Sequence, residues 1–409
     1  MGHSAAAPEE AHEADHAAER PDGTFASVST AFFLLFIGMG IWVPYVPLYL
    51  ATRGLSGTEI GLVLGLAPAA RWTAAIPWAY AADRLRIRHA LFLAATVAST
   101  LCLAGLAVAD RLETILLAVA AVAAFGAPLI PMMDAMCADH LPRLGGDYGR
   151  LRAFGSLGFV VGSVLAAAVI AHSSPLVVPW MLVAAQVVLP VTALRLPREQ
   201  HGHVESFRAP WRLLSPPMNA FLASSLLFNL GAGAWAGFFS VHTRALGLPD
   251  WVPGVTWGLG VVTEVAALWV GRGVFERFGP ADVLVGVLIA TAGRYLVTSL
   301  VQGEAATIVT QLAYGPCFAF SHLAAQLVLA RLVPRRSSTN GQALYGFVSF
   351  GIGGSLGLAL AGALVDRLGT ARVFQIEAMT TLLAILPALR LRALLRHAAR
   401  PAEEGGATP

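Results

Sequence analysis

The sequence predicts an all-α polytopic membrane protein, with twelve transmembrane helices in two pseudo-symmetric halves of six. Composition is the first reason: the 409 residues are 56% hydrophobic and 12% charged, with a mean hydropathy of +0.68, whereas a soluble domain carries about twice that share of charge. The second is length. Roughly 20 apolar residues span a bilayer as a helix, so twelve spans use about 240 and leave only short loops. The third is that one long polar stretch, 195–216, divides the apolar runs six and six.

Taken in order, residues 1–24 read as a disordered cytoplasmic leader. They are acidic and histidine-bearing (His3, His12 and His16 among Glu9, Glu10, Glu13, Asp15 and Glu19) and lack the basic start and cleavage site of a signal peptide. Apolar runs broken by Gly, Pro and charged residues then place spans at 25–50, 58–82, 90–109, 114–137, 152–171 and 177–194, so 25–194 is the N-terminal half. A cytoplasmic linker at 195–216 carries Arg198, Glu199, His201, His203, Glu205, Arg208 and Arg212. Six further spans, at 218–243, 252–274, 282–301, 305–331, 339–365 and 372–391, make 217–391 the C-terminal half, and 392–409 is a cytoplasmic tail. A membrane barrel would show strands of about ten residues with alternating polarity, which these continuous runs do not.

All 27 basic residues are Arg and the net charge is only +3, with no cluster of Arg interleaved with exposed aromatics, so nucleic acid is excluded as a partner. Cys102, Cys137 and Cys317 lie apart in apolar runs, with no metal or disulfide spacing, and read as small apolar filler. No HExxH, nucleophile elbow or phosphate loop is present; the sequence predicts no enzyme, no metal and no cofactor. Five Arg (Arg53, Arg111, Arg244, Arg367, Arg372) fall on one side and twenty on the side holding both termini and the linker. The positive-inside rule then puts both termini in the cytoplasm.

Two charges interrupt the spans at matching places. Arg71 lies 12 residues before Asp83, and Glu264 lies 12 residues before Glu276. At 1.5 Å per residue that is about 18 Å from the helix end, near the bilayer midplane. Charge at that depth costs about 2.5 kcal/mol or more, so each side chain is expected to face a polar interior. In transporters built from repeats, the solute site lies at the midplane between them.

The loop sequences A-A-D-R-L-R-I-R (81–88) and F-E-R-F-G (275–279) occupy corresponding positions in the two halves. They resemble the G-x-x-x-D-R-x-G-R-R loop motif of the major facilitator superfamily, with Asp83, Arg84 and Arg88 in one half and Glu276, Arg277 and Gly279 in the other; Ala79 and Arg86 replace two glycines. The resemblance implies a gating ion pair that breaks as the halves rock. P-M-M-D-A-M-C-A-D (131–139) followed by Y-G-R-L-R-A-F-G-S-L-G-F (148–159) is similar to the phenylpropionate-permease and lactose-permease branch, as are L-G-V-V-T-E-V (259–265) and G-Q-A-L-Y-G-F (341–347). The likeness covers residues 25–391 and implies that Asp134, Arg152 and Phe159 bind the solute. Arg294 matches an Arg of the lactose-permease proton relay, but Tyr314 stands at its His position and Cys317 at its acid. That relay is broken here. His322 matches a His of phenylpropionate-type members, and Glu264 is the nearest carboxylate for proton exchange.

The residues leave alternatives. Arg71 either binds an anionic solute or pairs with Asp134; Glu264 either carries a proton or pairs with Arg294. Asp134 and Arg152 either bind solute or form a gate, and His322 either shuttles protons or makes a structural hydrogen bond between helices. Glu377 either faces a polar crevice or snorkels. The glycine runs Gly155, Gly158, Gly162 and Gly351, Gly354, Gly357 fit sliding contacts between halves or static packing. Asp366 and Arg367 read as a surface pair. Trp180, Trp211 and Trp251 are interface anchors, while Trp72, Trp235 and Trp257 either line a cavity or face lipid and pack between helices. The expectation is a monomeric secondary transporter in a bacterial inner (cytoplasmic) membrane, importing a small organic solute with protons by alternating access. The solute class is an aromatic or organic acid, or else a sugar or nucleoside. An efflux pump and a non-transporting receptor on the same fold are the competing readings.

Overall fold

Twelve helices long and apolar enough to cross a bilayer follow one another in the computed structural model, which describes residues 24–85, 87–139, 148–196, 210–334 and 337–398. In the N-terminal half they are α1 (Phe25–Thr52), α2 (Gly57–Ala82, its helix continuing to Leu85), α3 (Arg88–Val108), α4 (Leu112–Ala138), α5 (Tyr148–Ala171) and α6 (Pro175–Ala193). In the other half they are α7 (Pro216–Ala245), α8 (Val252–Arg277), α9 (Pro280–Leu300), α10 (Glu304–Leu332), α11 (Ser338–Leu368) and α12 (Thr370–His397). Among the described residues there is no strand. The leader and most of the linker lie outside the described residues. The last helix runs past residue 391, where the apolar pattern stops. Asp282, in the first turn of α9, pairs with Arg392 (3.3 Å) and Arg396 (3.0 Å) and holds those basic turns in register.

Within each half, glycines set how close helices come. A Cβ on Gly158 would strike the Phe33 backbone, and one on Gly162 the Ile37 backbone, so α5 lies directly on α1. Gly353 and Gly357 of α11 likewise meet Leu226 and Leu230 of α7. The first run therefore packs inside its half, whereas the run in α11 divides: Gly357 meets α7 of its own half and Gly351 meets Trp72 of α2 in the other. The middle of α11, Phe347–Gly354, is wound as a π-helix, a form that recurs at functional sites.

The halves meet along α2 with α11 and α5 with α8. Gly57, Gly61 and Gly65 of α2 face Gly362, Leu358 and Ser355 of α11 at backbone contact; a Cβ on Gly61 would sit 2.8 Å from Gly362 Cα. Hydrogen bonds between the halves gather at the end away from the termini. The Asp366 carboxylate accepts from Gly57 N–H (2.6 Å), Thr58 N–H (2.7 Å) and Thr58 Oγ1 (2.6 Å). Tyr45 Oη donates to Trp251 O (3.3 Å) and accepts from Gly254 N–H (3.1 Å), and Arg244 Nη1 donates to Thr52 Oγ1 (2.5 Å). Asp366 is thus a cap on α2 of the opposite half rather than the partner of Arg367, because three donors at the start of α2 converge on it.

The apolar core follows the same division. One cluster fuses both halves, with Tyr45, Ile60 and Phe159 packed in a common core with Trp235, Phe238 and Trp257. Toward the end bearing the termini it splits in two: Val28, Phe92, Met133 and Leu151 form a core of the first half, and Phe221, Leu288, Leu329 and Leu391 one of the second. The molecule is joined at one end and parted at the other.

Two outcomes follow. Asp366→Ala removes the acceptor for three donors, so spin labels at Arg53 and Leu368 should show a new longer-distance population; an unchanged distance distribution would mean the carboxylate does not hold the seal. Gly61→Ala should destabilise the folded protein by about 1–3 kcal/mol through overpacking, read as a lower melting temperature in detergent. Gly105→Ala, where an added Cβ meets nothing within 4 Å, should not. Equal melting temperatures for the two variants would refute the role given to backbone contact.

Candidate functional site

The interior site starts from a local peculiarity of α7. Gly231 lets α12 approach, since a Cβ there would meet Thr381 Oγ1 at 2.8 Å. That approach brings the Glu377 carboxylate to the helix interior, where both oxygens accept from the Trp235 main-chain N–H (2.9 and 3.0 Å). Glu377 is 4% exposed. It neither lines a crevice nor snorkels; it is spent on the backbone that carries Trp235.

The Trp235 indole is the centre of an aromatic group. Its ring lies 4.6 Å from Trp257 and 4.7 Å from Tyr314, and Tyr314 stacks in turn on Phe318 at 5.8 Å. Arg294 of α9 joins them, its guanidinium 4.3 Å from the Trp235 ring, 4.6 Å from Tyr295 and 5.6 Å from Tyr314. Cation–π attraction of this kind strengthens when the cation is desolvated. Arg294 Nη1 donates to Gln311 Oε1 (2.7 Å), and Gln311 Nε2 donates to Thr298 Oγ1 (2.8 Å). The expected alternative, Arg294 paired with Glu264, does not form; α10 offers Gln311 instead.

These groups wall a cavity of about 300 Å³ that also reaches Asn229, Phe318 and His322, with Pro68 of α2 closing it from the first half. Trp235, Trp257, Arg294, Tyr314 and His322 are therefore brought together. The other candidates fall elsewhere. Arg152 lies near the start of α5 with its guanidinium over Phe36 (4.8 Å) and Phe32 (5.7 Å), and its field reaches Asp134, Glu264 and His322. Asp134 accepts from Tyr148 Oη at 2.8 Å. Arg71 does not pair with Asp134, and among the described residues it has no hydrogen-bond or ion-pair partner; its side chain is exposed at the middle of α2. Phe159 sits 6.3 Å from Trp257, across the seam between halves. Trp72 leaves the cavity wall and packs its indole on Gly346 and Gly351 of α11.

The loop motif is only partly drawn together. The Asp83 side chain lies outside the described residues, Arg84 is exposed, and Arg88 opens α3. Glu276 pairs with Arg272 one turn back on its own helix (2.8 Å), and Arg277 rests over the Phe278 ring. Among the described residues the second copy therefore makes no cross-helix ion pair, the partner of Glu276 lying on its own helix. Among the described residues no group of three His, Cys, Asp or Glu is placed to hold a metal. Sequence reasoning missed Gln311 and the roles of Asp366 and Glu377. Each was visible as a polar residue in an apolar span, but its partner is on a helix distant in the chain.

Known proteins share this architecture. A transporter from Escherichia coli (strain K12) described as a probable 3-phenylpropionic acid transporter is 28% identical over 378 residues, covering 89% of this chain and 96% of that one. A maltose permease from Geobacillus stearothermophilus is 25% identical over 370 residues, covering 88% and 92%. Among solved structures, the nucleoside transporter NupG superposes with a TM-score of 0.80 at 15% identity, covering 92% of this chain and 100% of that chain. Residues 25–376 match the MFS_1 like family. On that match, with twelve spans in two halves around an internal cavity, the chain belongs to the MFS_1 like family of major facilitator transporters: multi-pass membrane proteins that move small molecules and are not enzymes.

Proposed function

We propose that the protein imports a small organic acid together with protons by alternating access, across the inner membrane of a bacterium and as a monomer. One observation carries the reading: the 300 Å³ cavity lies within the second half and is closed from the first by Pro68, in a molecule whose apolar core is common to both halves at one end and separate at the other. A site reached from one side at a time is what alternating access requires. The excess of Arg on the side of the termini supports a cytoplasmic location for that side, and on that reading the arrangement is inward-facing.

An aromatic acid suits the wall. Flat rings at Trp235, Trp257 and Tyr314 offer stacking faces, and the cavity carries cationic charge from Arg294. The similarity to a probable 3-phenylpropionic acid transporter supports the same class. A sugar is the second reading. It is favoured by the Asp134–Tyr148 hydrogen bond beside Arg152, a grouping suited to hydroxyls, and by the similarity to a maltose permease. For protons, Glu264 at the middle of α8 and His322 on the cavity wall are the candidate carriers, both within the field of Arg152.

The test is uptake of labelled 3-phenylpropionate and maltose into proteoliposomes with an imposed pH gradient. The acid should accumulate only while the inward proton gradient persists. Glu264→Gln should keep exchange of labelled for unlabelled solute and lose accumulation against a gradient. Accumulation by that variant at the wild-type level would remove Glu264 from the coupling; net extrusion in everted vesicles would replace import by efflux.

A further inference from the structure

We propose that Arg294 is the residue that binds the solute's carboxylate, with the rings around it forming the slot for the solute's apolar body; this rests on the reading of the cavity as the solute site. A guanidinium in an apolar interior normally carries an acid with it, since a buried charge without a partner is strongly disfavoured. Arg294 is 5% exposed, yet among the described residues no carboxylate lies within the 4.0 Å of an ion pair. Glu377 is near enough for its field to be felt, but its oxygens accept from the Trp235 main-chain N–H and make no ion pair with Arg294. Gln311 satisfies Nη1, its amide held with the oxygen toward Arg294 by the bond to Thr298, while Nε has no hydrogen-bond partner among the described residues.

The site is thus built and incomplete. Three ring faces and one amide fix the guanidinium on the wall of the cavity, with no carboxylate in ion-pair contact and a donor unspent. The planar fork of an Arg matches the two oxygens of a carboxylate. The other interior arginines are placed differently. Arg152 also leaves a donor, Nη1, without a hydrogen-bond partner among the described residues, but it has Asp134 and Glu264 within its field, and neither it nor Arg71 lines the cavity.

The deciding measurement compares 3-phenylpropionate with its uncharged amide, 3-phenylpropionamide, which has nearly the same shape. Binding to the detergent-purified full chain is read by thermal shift and by inhibition of uptake. Wild type should prefer the acid. Arg294→Gln should bind the acid roughly tenfold or more weakly, the worth of a charge-assisted hydrogen bond, while amide binding stays unchanged. Arg294→Lys should restore part of the preference, and Arg152→Gln should keep all of it. Arg294→Lys also decides the matter if the Gln variant does not fold. Persistence of acid preference in Arg294→Gln, its loss in Arg152→Gln, or no binding of the acid to wild type would each overturn the assignment. Trp257→Ala separates the two levels. If it weakens neither ligand, the cavity is not the solute site; if it weakens both while Arg294→Gln keeps acid preference, only the anchor is wrong.

Discussion

Close backbone contact between the halves is the constraint on which the rest of this structure depends. In lipid there is no hydrophobic drive for helices to associate, so how near two backbones come, and what hydrogen bonds they make there, decides which surfaces join. Gly57, Gly61 and Gly65 place α2 on α11, and Gly254 places α8 on α5. The same approach makes the Asp366 cap possible, since its carboxylate reaches the start of α2 only when no side chain intervenes. Toward the termini, larger side chains such as Phe92, Met133, Phe221 and Leu288 pack within their own half, and the two cores part.

The parted cores leave room for polar groups that hydrocarbon would reject. Arg294 is accepted at depth because rings and an amide replace water around it. Glu377 is accepted because it answers a main-chain donor in α7. Together they hold Trp235 from both sides, one through its backbone and one through its ring. The orientation of that indole therefore depends on three helices, α7, α9 and α12, and any motion of α7 relative to them changes the cavity wall.

Much of the fold was legible beforehand, for a physical reason. Span number, the division into halves and the mid-depth placement of Arg71 and Glu264 follow from hydropathy and from 1.5 Å of rise per residue, both local properties of the chain. Of the three tryptophans for which a cavity was one of the readings, Trp235 and Trp257 line it and Trp72 does not. Which charge meets which was not legible. Arg294 and Glu264 sit at plausible depths for a pair, yet Arg294 found Gln311 and Glu264 came under the field of Arg152. The Asp366–Arg367 pair suggested by adjacency gave way to a bond 309 residues distant.

The sequence by itself determined that the chain crosses a membrane twelve times, that its halves correspond, and that ionisable groups occupy its interior, because lipid imposes these on any helix according to its composition. Only the tertiary structure decided that α2 and α11 seal one end, that the glycine run of α5 packs on α1 while that of α11 meets both halves, and that the aromatic wall gathers around an arginine with no acid in ion-pair contact. Those outcomes depend on how helices far apart in the chain rotate and approach, and helix periodicity leaves that rotation open until neighbours are in place.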